Sequence, residues 1–423
     1  MKPPVIGFAG MTHLGLVSGV AAAGKGFSLV CFDPDAERIA ALRQGKLPIS
    51  EPQLDELVAK NAARLRFTAD AADLKACEIV YVAPDVATDD LGQSDLGTIN
   101  RLLDAVFTAT RNDAVIVVLS QVPPGYTRRK QRDGRILYCQ VETLIFGRAV
   151  ERALLPERYI VGCADPAQAL PAAFRAFLEA HGCPILPMRY ESAELAKISI
   201  NMCLVASVST ANTLAELCEK IGADWSEIVP ALKLDQRIGP YSYLAPGLGI
   251  AGGNLERDLA TVCRFADEYG TDADMVRAWV ANSRHRRDWA LRTLHREVLA
   301  RIDDPVIAVL GLAYKQDTHS VKNSPSIALL ASLTSFRVRV FDPVVPASAA
   351  PNPRCHAGED ELDACAGADV LVVMTPWGRF RNLDAAAIAA RLRGKLVLDP
   401  YAVLDRAKCR AAGIEYHTLG AAA

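Results

Sequence analysis

Short apolar runs separated by helical patterns occupy the first third of the chain, and this alternation most constrains how the chain can fold. The runs are VIGFAG, FSLVCFD, CEIVYVA and AVIVVLS, followed later by YIVGC. Runs of this length without polar alternation are typical of strands that a parallel sheet buries on both faces. Similar runs return from Pro305 onward as PVIAVLGLA, RVRVFDP, ADVLVVMT and KLVLDP. The pattern predicts an α/β fold with two doubly wound parallel-sheet domains.

The middle of the chain has a different, helical pattern. It extends from Ser192 to about Lys220 and again from about Leu259 to Arg301, with few glycines or prolines. One long helix ended by Gly222 fits the first stretch. Its small residues on several faces suit burial between subunits, so we expect a homodimer formed through a central helical domain. The predicted domains are residues 1–190, 191–300 and 301–423.

Composition excludes several classes of protein. The hydrophobic content of 51% and the charged content of 23% are those of a soluble globular protein. The net charge of −2 gives no general attraction to nucleic acid or to an anionic membrane, so any phosphate site has to be local. The 11 cysteines lack CxxC spacing, so we expect no disulfide framework, no metal site, and thiols kept reduced in the cytoplasm.

Both ends of the chain need an interpretation of their own. The start, with a lysine, an apolar run and small residues, loosely imitates a signal peptide. A strand, a turn and a helix are favoured there, because an acidic residue at the end of a second strand and an ordered αβ pattern follow. No stretch of about 20 apolar residues indicates a membrane span. The final GAAA is expected to be disordered.

The turn after the first strand, in VIGFAGMTHLG, resembles the G-x-G-x-x-G fingerprint of a Rossmann-like dinucleotide-binding unit. Gly10 allows the tight turn, and Gly15 allows the helix to pack closely on the strand. Thr12 replaces the middle glycine, which normally lets the backbone approach a pyrophosphate. Its hydroxyl either substitutes for part of that contact or pushes the cofactor away.

Asp33 ends the second strand, in VCFDPD. A carboxylate at this position accepts a hydrogen bond from the ribose 2′-OH and repels a 2′-phosphate, which favours NAD over NADP. The plainer interpretation of Asp33 is a strand-end cap.

Further motifs follow in a fixed order over nearly the whole chain. They read QGKLPISEPQLDELV, SQVPPGYT, ESAELAKISINMC, PGLGIAGGNLERD and VLGLAYKQDTHSVKNSPS. Together they resemble the UDP-glucose/GDP-mannose dehydrogenase family. The resemblance implies two Rossmann-like domains joined by a central helical domain, with NAD bound by the first and the nucleotide sugar by the last. It also implies oxidation at C6 of the sugar, with a UDP-sugar favoured only by its frequency in the family.

The resemblance assigns the chemistry to one helix and one loop. Lys197 and Asn201 are four residues apart and therefore share a helix face; in the family they act at the oxyanion and at the catalytic water. An ammonium close to a developing alkoxide stabilises it. Asp258, in the loop, orders that water and supports general-base work, and Glu142 matches the first glutamate of the family's P-E-F-L-x-E-G. Taken alone, the helix residues are better explained as an exposed helical ion pair and a surface asparagine, and the glycine loop about 50 residues later is what favours the catalytic interpretation.

Binding roles are implied in the same way. Arg38 would face the adenosine ribose, and Ser120 would lie near the nicotinamide. Arg237, in the element RIG, would reach the substrate of a neighbouring subunit, although a surface arginine before a turn is the plainer interpretation. The remaining implied binding residues are Gly249 and Gly252, which let the loop close over the sugar nucleotide, Lys315, which contacts the substrate, and Lys322, which replaces a family arginine and is assigned to the cofactor.

Departures from the family cluster around the chemistry. Asn254 replaces the nucleophilic cysteine, and a carboxamide cannot form the thiohemiacetal that leads from aldehyde to acid. Gln121 and Phe146 also replace residues that line the reacting carbon in the family, and Cys263 is too far along the chain to act as a substitute nucleophile. Three hypotheses follow: an oxidoreductase that stops at the aldehyde, a catalytically inactive protein that binds nucleotide or a protein partner, and a full dehydrogenase in which water alone carries the second oxidation.

Overall fold

The computed structural model describes residues 3–89 and 93–422. The backbone divides into two compact units, the first ending at Ile200 and the second beginning at Asn201. Each unit is built around one sheet with helices packed on it, as the alternating pattern predicts.

An eight-stranded sheet forms the centre of the first unit. The strands are β1 Val5–Ala9, β2 Ser28–Phe32, β3 Leu65–Thr68, β4 Ile79–Val82, β5 Val115–Val118, β6 Ile136–Gln140, β7 Tyr159–Cys163 and β8 Ile185–Arg189. Their order in the sheet is β3-β2-β1-β4-β5-β6-β7-β8, and neighbouring strands run parallel, except that β6 and β7 are antiparallel. The helices are α1 His13–Gly24, α2 Ala36–Arg43, α3 Leu54–Lys60, α4 Gly97–Ala109, α5 Tyr126–Lys130, α6 Ala149–Leu154 and α7 Ala172–Glu179.

The long helix predicted between the sheets is present as α8, Tyr190–Ile221, and it ends where Gly222 takes a positive φ of 79°. The sequence predicts no membrane span, yet α8 is long and apolar enough to cross a membrane by length and composition alone. Core helices of soluble proteins meet the same criteria. The buried hydroxyl of Tyr190 donates to the backbone oxygen of Leu137 at 2.6 Å, a contact expected of a helix that packs on a sheet.

A six-stranded sheet, parallel throughout, forms the centre of the second unit. Helices come first along this part of the chain. They are α9 Trp225–Leu234, α10 Asn254–Tyr269, α11 Asp274–Arg287 and α12 Trp289–Leu294. The strands are β9 Val306–Leu310, β10 Arg337–Phe341, β11 Cys355–Ala357, β12 Val370–Val373, β13 Leu396–Leu398 and β14 Glu415–His417, with helices α13 Pro325–Ser332, α14 Glu361–Cys365, α15 Ala385–Arg391 and α16 Arg406–Ala411. The sheet order, β11-β10-β9-β12-β13-β14, is that of the Rossmann fold.

The expectation of a disordered tail is wrong for residues 420–422. The backbone oxygen of Gly420 accepts from the Trp225 amide at 2.8 Å, and its N–H donates to Glu219 at 3.0 Å. Ala421 is buried and forms a bridge with Asp224. Small side chains favour order here, because a Cβ on Gly420 would lie 2.8 Å from the Trp225 side chain. Ala423 lies outside the described residues.

Candidate active site

Two glycines shape the turn between β1 and α1. Gly10 has a φ of +96°, and a Cβ there would lie 2.8 Å from the backbone nitrogen of Pro84. A Cβ on Gly15 would lie 1.9 Å from the carbonyl oxygen of Gly10. Thr12, the residue before the helix, has a φ of −87°, which any L-residue adopts. The first and last glycines of the fingerprint are therefore required by the backbone, whereas the middle position accepts threonine without strain.

Asp33 and Arg38 lie together at the carboxyl end of β2, as sequence analysis predicted. Asp33 is buried, and its Oδ2 accepts from the Met11 amide at 2.7 Å and from Arg38 Nη1 at 2.8 Å. Its Oδ1 accepts from the amide of Asp35 at 3.0 Å. Asp33 is thus both a cap of the glycine turn and a carboxylate at the strand end, where a dinucleotide's ribose binds. The residues at this end of the turn fit the adenosine half of NAD.

A third acidic residue, Asp85, lies at the start of α1 and was not singled out from the sequence. Its Oδ2 accepts from the amide of His13, the first residue of α1, at 2.8 Å. In return, the hydroxyl of Thr12 accepts from the Asp85 amide at 2.8 Å. Helix N-termini attract anions because their first N–H groups have no acceptor within the helix. The only sequence signal was VAPDVAT, which departs from the family's V-x-T-P.

The side chain of His13 contacts a buried acid, Glu51. His13 Nε2 lies 2.8 Å from Glu51 Oε1, and Glu51 also accepts from the amides of Gly147 at 3.0 Å and Ala149 at 3.2 Å. The His13 ring contacts the ring of Phe146 at a centroid distance of 4.3 Å. Phe146, at the place of the family's second glutamate, therefore packs against the helix start.

A small cavity of about 20 Å³ gathers four polar side chains expected near the chemistry, Ser120, Gln121, Glu142 and Lys197, together with Glu194, which was not predicted as a site residue. Lys197 Nζ lies 3.5 Å from Glu142 Oε2, and both side chains are less than one-fifth exposed. Glu142 also accepts from the Leu144 amide. The hydroxyl of Ser120 donates to the backbone oxygen of Pro84 at 2.5 Å. Within the first unit, three of the predicted residues, Ser120, Glu142 and Lys197, are therefore neighbours.

Glu194, in the same cavity, links α8 to the start of α5. Its carboxylate accepts from the amides of Gly125 at 2.5 Å and Thr127 at 2.8 Å, at the start of α5. Burial raises the pKa of the Glu194 carboxyl, and these hydrogen bonds oppose the rise. Its oxygens are engaged in holding α5 against α8.

In the second unit, the glycine loop that precedes α10 is held at several points. Gly249 has a φ of +75°, and a Cβ there would lie 2.3 Å from the Ser283 backbone oxygen. The Ile250 amide donates to Ser283 Oγ at 2.7 Å. Gly252, with a φ of +87°, donates to the Lys322 backbone oxygen at 3.1 Å and accepts from Asn323 Nδ2 at 2.9 Å. The backbone of the loop therefore has one defined course.

Asn254 is exposed and is the first residue of α10. One turn later, Asp258 is 1% exposed. Its Oδ2 accepts from Asn201 Nδ2 at 2.5 Å, and its Oδ1 lies 3.3 Å from Arg257 Nε. The structure thus joins two predicted catalytic residues, Asn201 and Asp258, which are 57 positions apart in the chain.

Glu256, which replaces a family proline, was not predicted as a site residue. Partial burial raises the pKa of its carboxyl to about 7, against the opposing charges of Lys322, Arg287 and Arg284. Asn323 Nδ2 donates to this carboxyl as well as to Gly252. A group that titrates near neutral pH therefore lies beside the loop.

A cavity of about 910 Å³ lies in the second unit, where the loops after β12 and β13 meet the segment 242–246. Its lining includes Trp225, Tyr243, Tyr401, Arg406 and Thr418. Arg406 Nε and Thr418 Oγ1 are buried and have no hydrogen-bond partner among the described residues. Buried polar atoms of this kind are donors and acceptors for a ligand.

The other predicted binding residues are placed as follows. Arg237 is 89% exposed and pairs with Asp235, two residues earlier, at 2.7 and 3.0 Å. Lys315 follows β9, with its Nζ 5.8 Å from the centroid of the Tyr314 ring. The backbone oxygen of Lys322 accepts a hydrogen bond from the Gly252 amide, and the charge of Lys322 opposes the rise in the pKa of the Glu256 carboxyl. The roles of all three in binding stay predictions.

Comparisons with known proteins agree with the motif order. Domain models of the UDP-glucose/GDP-mannose dehydrogenase family match residues 4–178 (NAD binding domain), 191–284 (central domain) and 308–406 (UDP binding domain). The first match confirms NAD as the expected cofactor.

Curated relatives and solved structures lead to the same family. A UDP-glucose 6-dehydrogenase of Pseudomonas aeruginosa is 30% identical over 437 residues, covering 97% of this chain and 96% of that protein. One from Rickettsia typhi is 29% identical over 432 residues, covering 98% and 99%. The structure of a UDP-glucose dehydrogenase from Pyrobaculum islandicum superimposes with a TM-score of 0.86 at 26% identity, covering 100% of this chain and 98% of that chain. This chain belongs to the UDP-glucose/GDP-mannose dehydrogenase family.

Proposed function

We propose that this protein is an NAD-dependent oxidoreductase that oxidises the C6 alcohol of a nucleotide sugar to the aldehyde and releases it there. The observation that carries the proposal is Asn254: the loop around it keeps its strained glycines and their contacts, whereas the nucleophile position holds a carboxamide. Without a thiolate, no covalent bond to the aldehyde carbon forms, and the second oxidation has no acyl-enzyme route.

In the proposed reaction, the C6 carbon loses a hydride and its hydroxyl loses a proton. NAD⁺ supplies the hydride acceptor. Lys197 stabilises the alkoxide oxygen, and Glu142, 3.5 Å from its Nζ, holds the ammonium in position. Asp258 takes up the hydroxyl proton, directly or through a water held by Asn201. One NADH, one proton and one aldehyde result per sugar.

The nucleotide sugar is proposed to occupy the large cavity of the second unit. Its volume is that of an ordinary small-molecule site, and the ring of Tyr401 and the buried polar atoms of Arg406 and Thr418 offer stacking and hydrogen bonds to a nucleotide. A UDP-sugar is the favoured class, because UDP-glucose 6-dehydrogenases are among the relatives. Lys315, Gly249 and Gly252 are proposed to contact the sugar end.

A homodimer is proposed through α8. Leu214, Leu217 and Ile221 recur at helical spacing and are 40%, 51% and 65% exposed. Such a stripe on one helix is typical of a subunit interface. The exposed Arg237 would then be available to the partner's substrate. The net charge of −2 gives no general attraction to nucleic acid or to an anionic membrane, and a cytoplasmic location is proposed.

The test is product stoichiometry. Purified protein is incubated with NAD⁺ and a panel of nucleotide sugars, NADH is counted, and the sugar product is identified by mass spectrometry with an aldehyde trap. One NADH per sugar and a trapped aldehyde are expected, and Asn254→Cys should raise the count to two. Two NADH from the wild type would mean that water carries the second oxidation through the hydrate, and one NADH from Asn254→Cys would refute the role given to Asn254.

A catalytically inactive, nucleotide-binding protein is the second candidate. The carboxylate of Asp85 on the His13 amide, where a cofactor's phosphate would compete with it, favours this candidate. Calorimetry and the NADH assay together separate the two candidates. An oxidoreductase binds both NAD⁺ and the nucleotide sugar and forms NADH with a sugar of the panel, whereas an inactive member binds the nucleotide sugar and forms no NADH with any of them.

A further inference from the structure

We propose that Asp85 is an internal competitor of the cofactor's pyrophosphate, so that NAD binds only when this carboxylate withdraws from the N-terminus of α1. The inference rests on the NAD binding domain alone. It does not depend on whether the proposed aldehyde chemistry is correct, and its test measures binding and not turnover.

The first argument is the use of the donors. A pyrophosphate in a Rossmann-like unit binds to N–H groups of the glycine turn and of the first helical turn. In this protein the His13 amide donates to Asp85 and the Met11 amide donates to Asp33. Two N–H groups of the turn are therefore already engaged by carboxylates of the protein, and a phosphate that binds the His13 amide has to displace Asp85.

The second argument is the way Asp85 is held. Its own amide donates to the Thr12 hydroxyl, so the two segments are joined by a reciprocal pair of 2.8 Å hydrogen bonds. Pro84, the preceding residue, is held by Ser120 through a 2.5 Å hydrogen bond and packs against Gly10. The carboxylate is thus fixed in place by contacts from the turn and from the end of β5. This also gives a physical account of threonine at the middle position of the fingerprint: its hydroxyl anchors the competitor.

The third argument is charge. Among the described residues, the charged groups around this turn include the carboxylates of Asp33, Asp35, Asp85 and Glu51. Two basic side chains are also there and already engaged, Arg38 with Asp33 and Asp35, and His13 with Glu51. A diphosphate would bring further negative charge next to Asp85. Asp85 is exposed, so solvent and salt screen part of this repulsion, but a phosphate bound to the His13 amide would still lie within a few ångströms of the Asp85 carboxylate unless that carboxylate moves or is neutralised.

The experiment is isothermal titration of the full-length protein with three probes: NAD⁺, ADP and adenosine. ADP carries the diphosphate without the nicotinamide half, and adenosine carries no phosphate. The central variant is Asp85→Asn, which keeps the shape of the side chain and removes its charge. The matched control is Asp165→Asn, because Asp165 also accepts from a backbone amide in the same unit, at 3.0 Å from Ala167, but follows β7.

Asp85→Asn is expected to tighten NAD⁺ and ADP by about tenfold or more and to leave adenosine within about twofold of the wild type, since only the phosphate meets the carboxylate. The difference in NAD⁺ and ADP affinity between the wild type and Asp85→Asn should become smaller as the salt concentration rises. Asp165→Asn should bind all three probes like the wild type. Unchanged affinity of Asp85→Asn for NAD⁺ and ADP overturns the proposal, as does equal tightening of adenosine, which would indicate an opened loop and no competition between anions.

A second variant keeps the proposal testable if Asp85→Asn perturbs the loop. Thr12→Val removes the hydroxyl that holds the Asp85 backbone and leaves the carboxylate charged. It should tighten NAD⁺ and ADP by a smaller factor, and its effect should vanish in the Asp85→Asn background, because both changes act on one contact. Full additivity of the two changes would contradict the proposed competition.

Discussion

The side-chain amide of Asn201 donates to the carboxylate of Asp258 at 2.5 Å, in a site where both residues are less than a tenth exposed. The pair joins the long helix α8 to the first turns of α10. A buried carboxylate requires its hydrogen-bond donors, so this contact sets both the direction of the Asp258 side chain and part of the stability of the second unit.

Replacing the donor should expose that dependence. Asn201→Leu is expected to lower the free energy of unfolding by about 1–3 kcal/mol, because Asp258 stays buried with one donor fewer. Urea unfolding measures the change. Ser199→Ala is the control on the same helix, since the exposed Ser199 hydroxyl only donates to a backbone oxygen one turn earlier. Equal stability of wild type and Asn201→Leu would show that the pair contributes nothing.

Two of the four glycines of the loop before α10, Gly247 and Gly249, offer a matched comparison. Gly249→Ala should destabilise the protein by about 1–3 kcal/mol, because its φ is positive and the new Cβ would meet the Ser283 backbone. Gly247→Ala should have little effect, since a Cβ there lies 3.9 Å from Tyr401 and the φ is not positive. Thermal unfolding of the two variants decides, and identical melting temperatures would contradict the close approach of Gly249 to Ser283.

Glu256 should make stability depend on pH near neutrality. Its carboxyl pKa is raised from 4.5 to about 7 on folding, so the folded state binds the proton more tightly than the unfolded state. The corresponding stability is therefore fully present below about pH 4.5 and is lost as the pH rises through about 7. Measured from pH 5 to 8, the melting temperature of the wild type should fall relative to that of Glu256→Gln. A constant difference between the two would exclude the raised pKa.

A cysteine at position 254 should be unusually reactive. It would be exposed at the first position of α10, where the helix N-terminus stabilises a thiolate. Burial raises the pKa of native thiols such as Cys31 and Cys365 to about 12. In Asn254→Cys, iodoacetamide should therefore label position 254 faster than any native cysteine, as read by peptide mass spectrometry, with the exposed Cys203 as the internal reference. Labelling of Cys203 first would place position 254 in a different environment.

The proposed dimer depends on the apolar stripe of α8. Leu217→Glu puts a charge in its middle and should convert a dimer into a monomer in light scattering, with the fold kept. Leu155→Glu changes a leucine of the first unit that is more exposed, 69% against 51% for Leu217, and should leave the dimer intact. A dimer that survives Leu217→Glu would locate the interface elsewhere.

The parts of the fold that were predicted are those with a local signal. Apolar strands such as β4 and β5 are buried along their whole length, so four residues identify them. Five of the described strands were missed. Arginine or proline interrupts β3 and β8 at the edges of the first sheet, and β11 and β14 are only three residues long at the edges of the second. The interior strand β6 was missed because its burial alternates at its start and it ends in a polar residue. The tail was misjudged because its order comes from Glu219 and Trp225, some 200 positions earlier, and not from its own composition.

The contacts of the candidate site likewise fall into local ones, which the sequence predicts, and long-range ones, which it does not. Asp33 and Arg38 are five positions apart, and a strand-end acid followed by a helix start is visible in the sequence. The bond from His13 to Asp85 spans 72 positions, and that from Asn323 to Glu256 spans 67. Such contacts are set by how loops meet at the ends of strands, which no local pattern encodes, and both involve residues that depart from the family's motifs.

The contacts that hold residues 419–421 in place have a consequence for the large cavity of the second unit. Leu419 and Ala421 form part of the wall of the large cavity, and Gly420 is tied on both sides of its peptide to α8 and α9. A variant that lacks residues 419–422 would therefore lose part of the wall of the cavity in which the nucleotide sugar is proposed to bind, while Lys197, Asn201 and Asp258 stay in place. Such a variant should bind a sugar nucleotide more weakly than the unshortened protein if the proposed site is correct, so these few residues would contribute to binding through the backbone contacts that hold them in place.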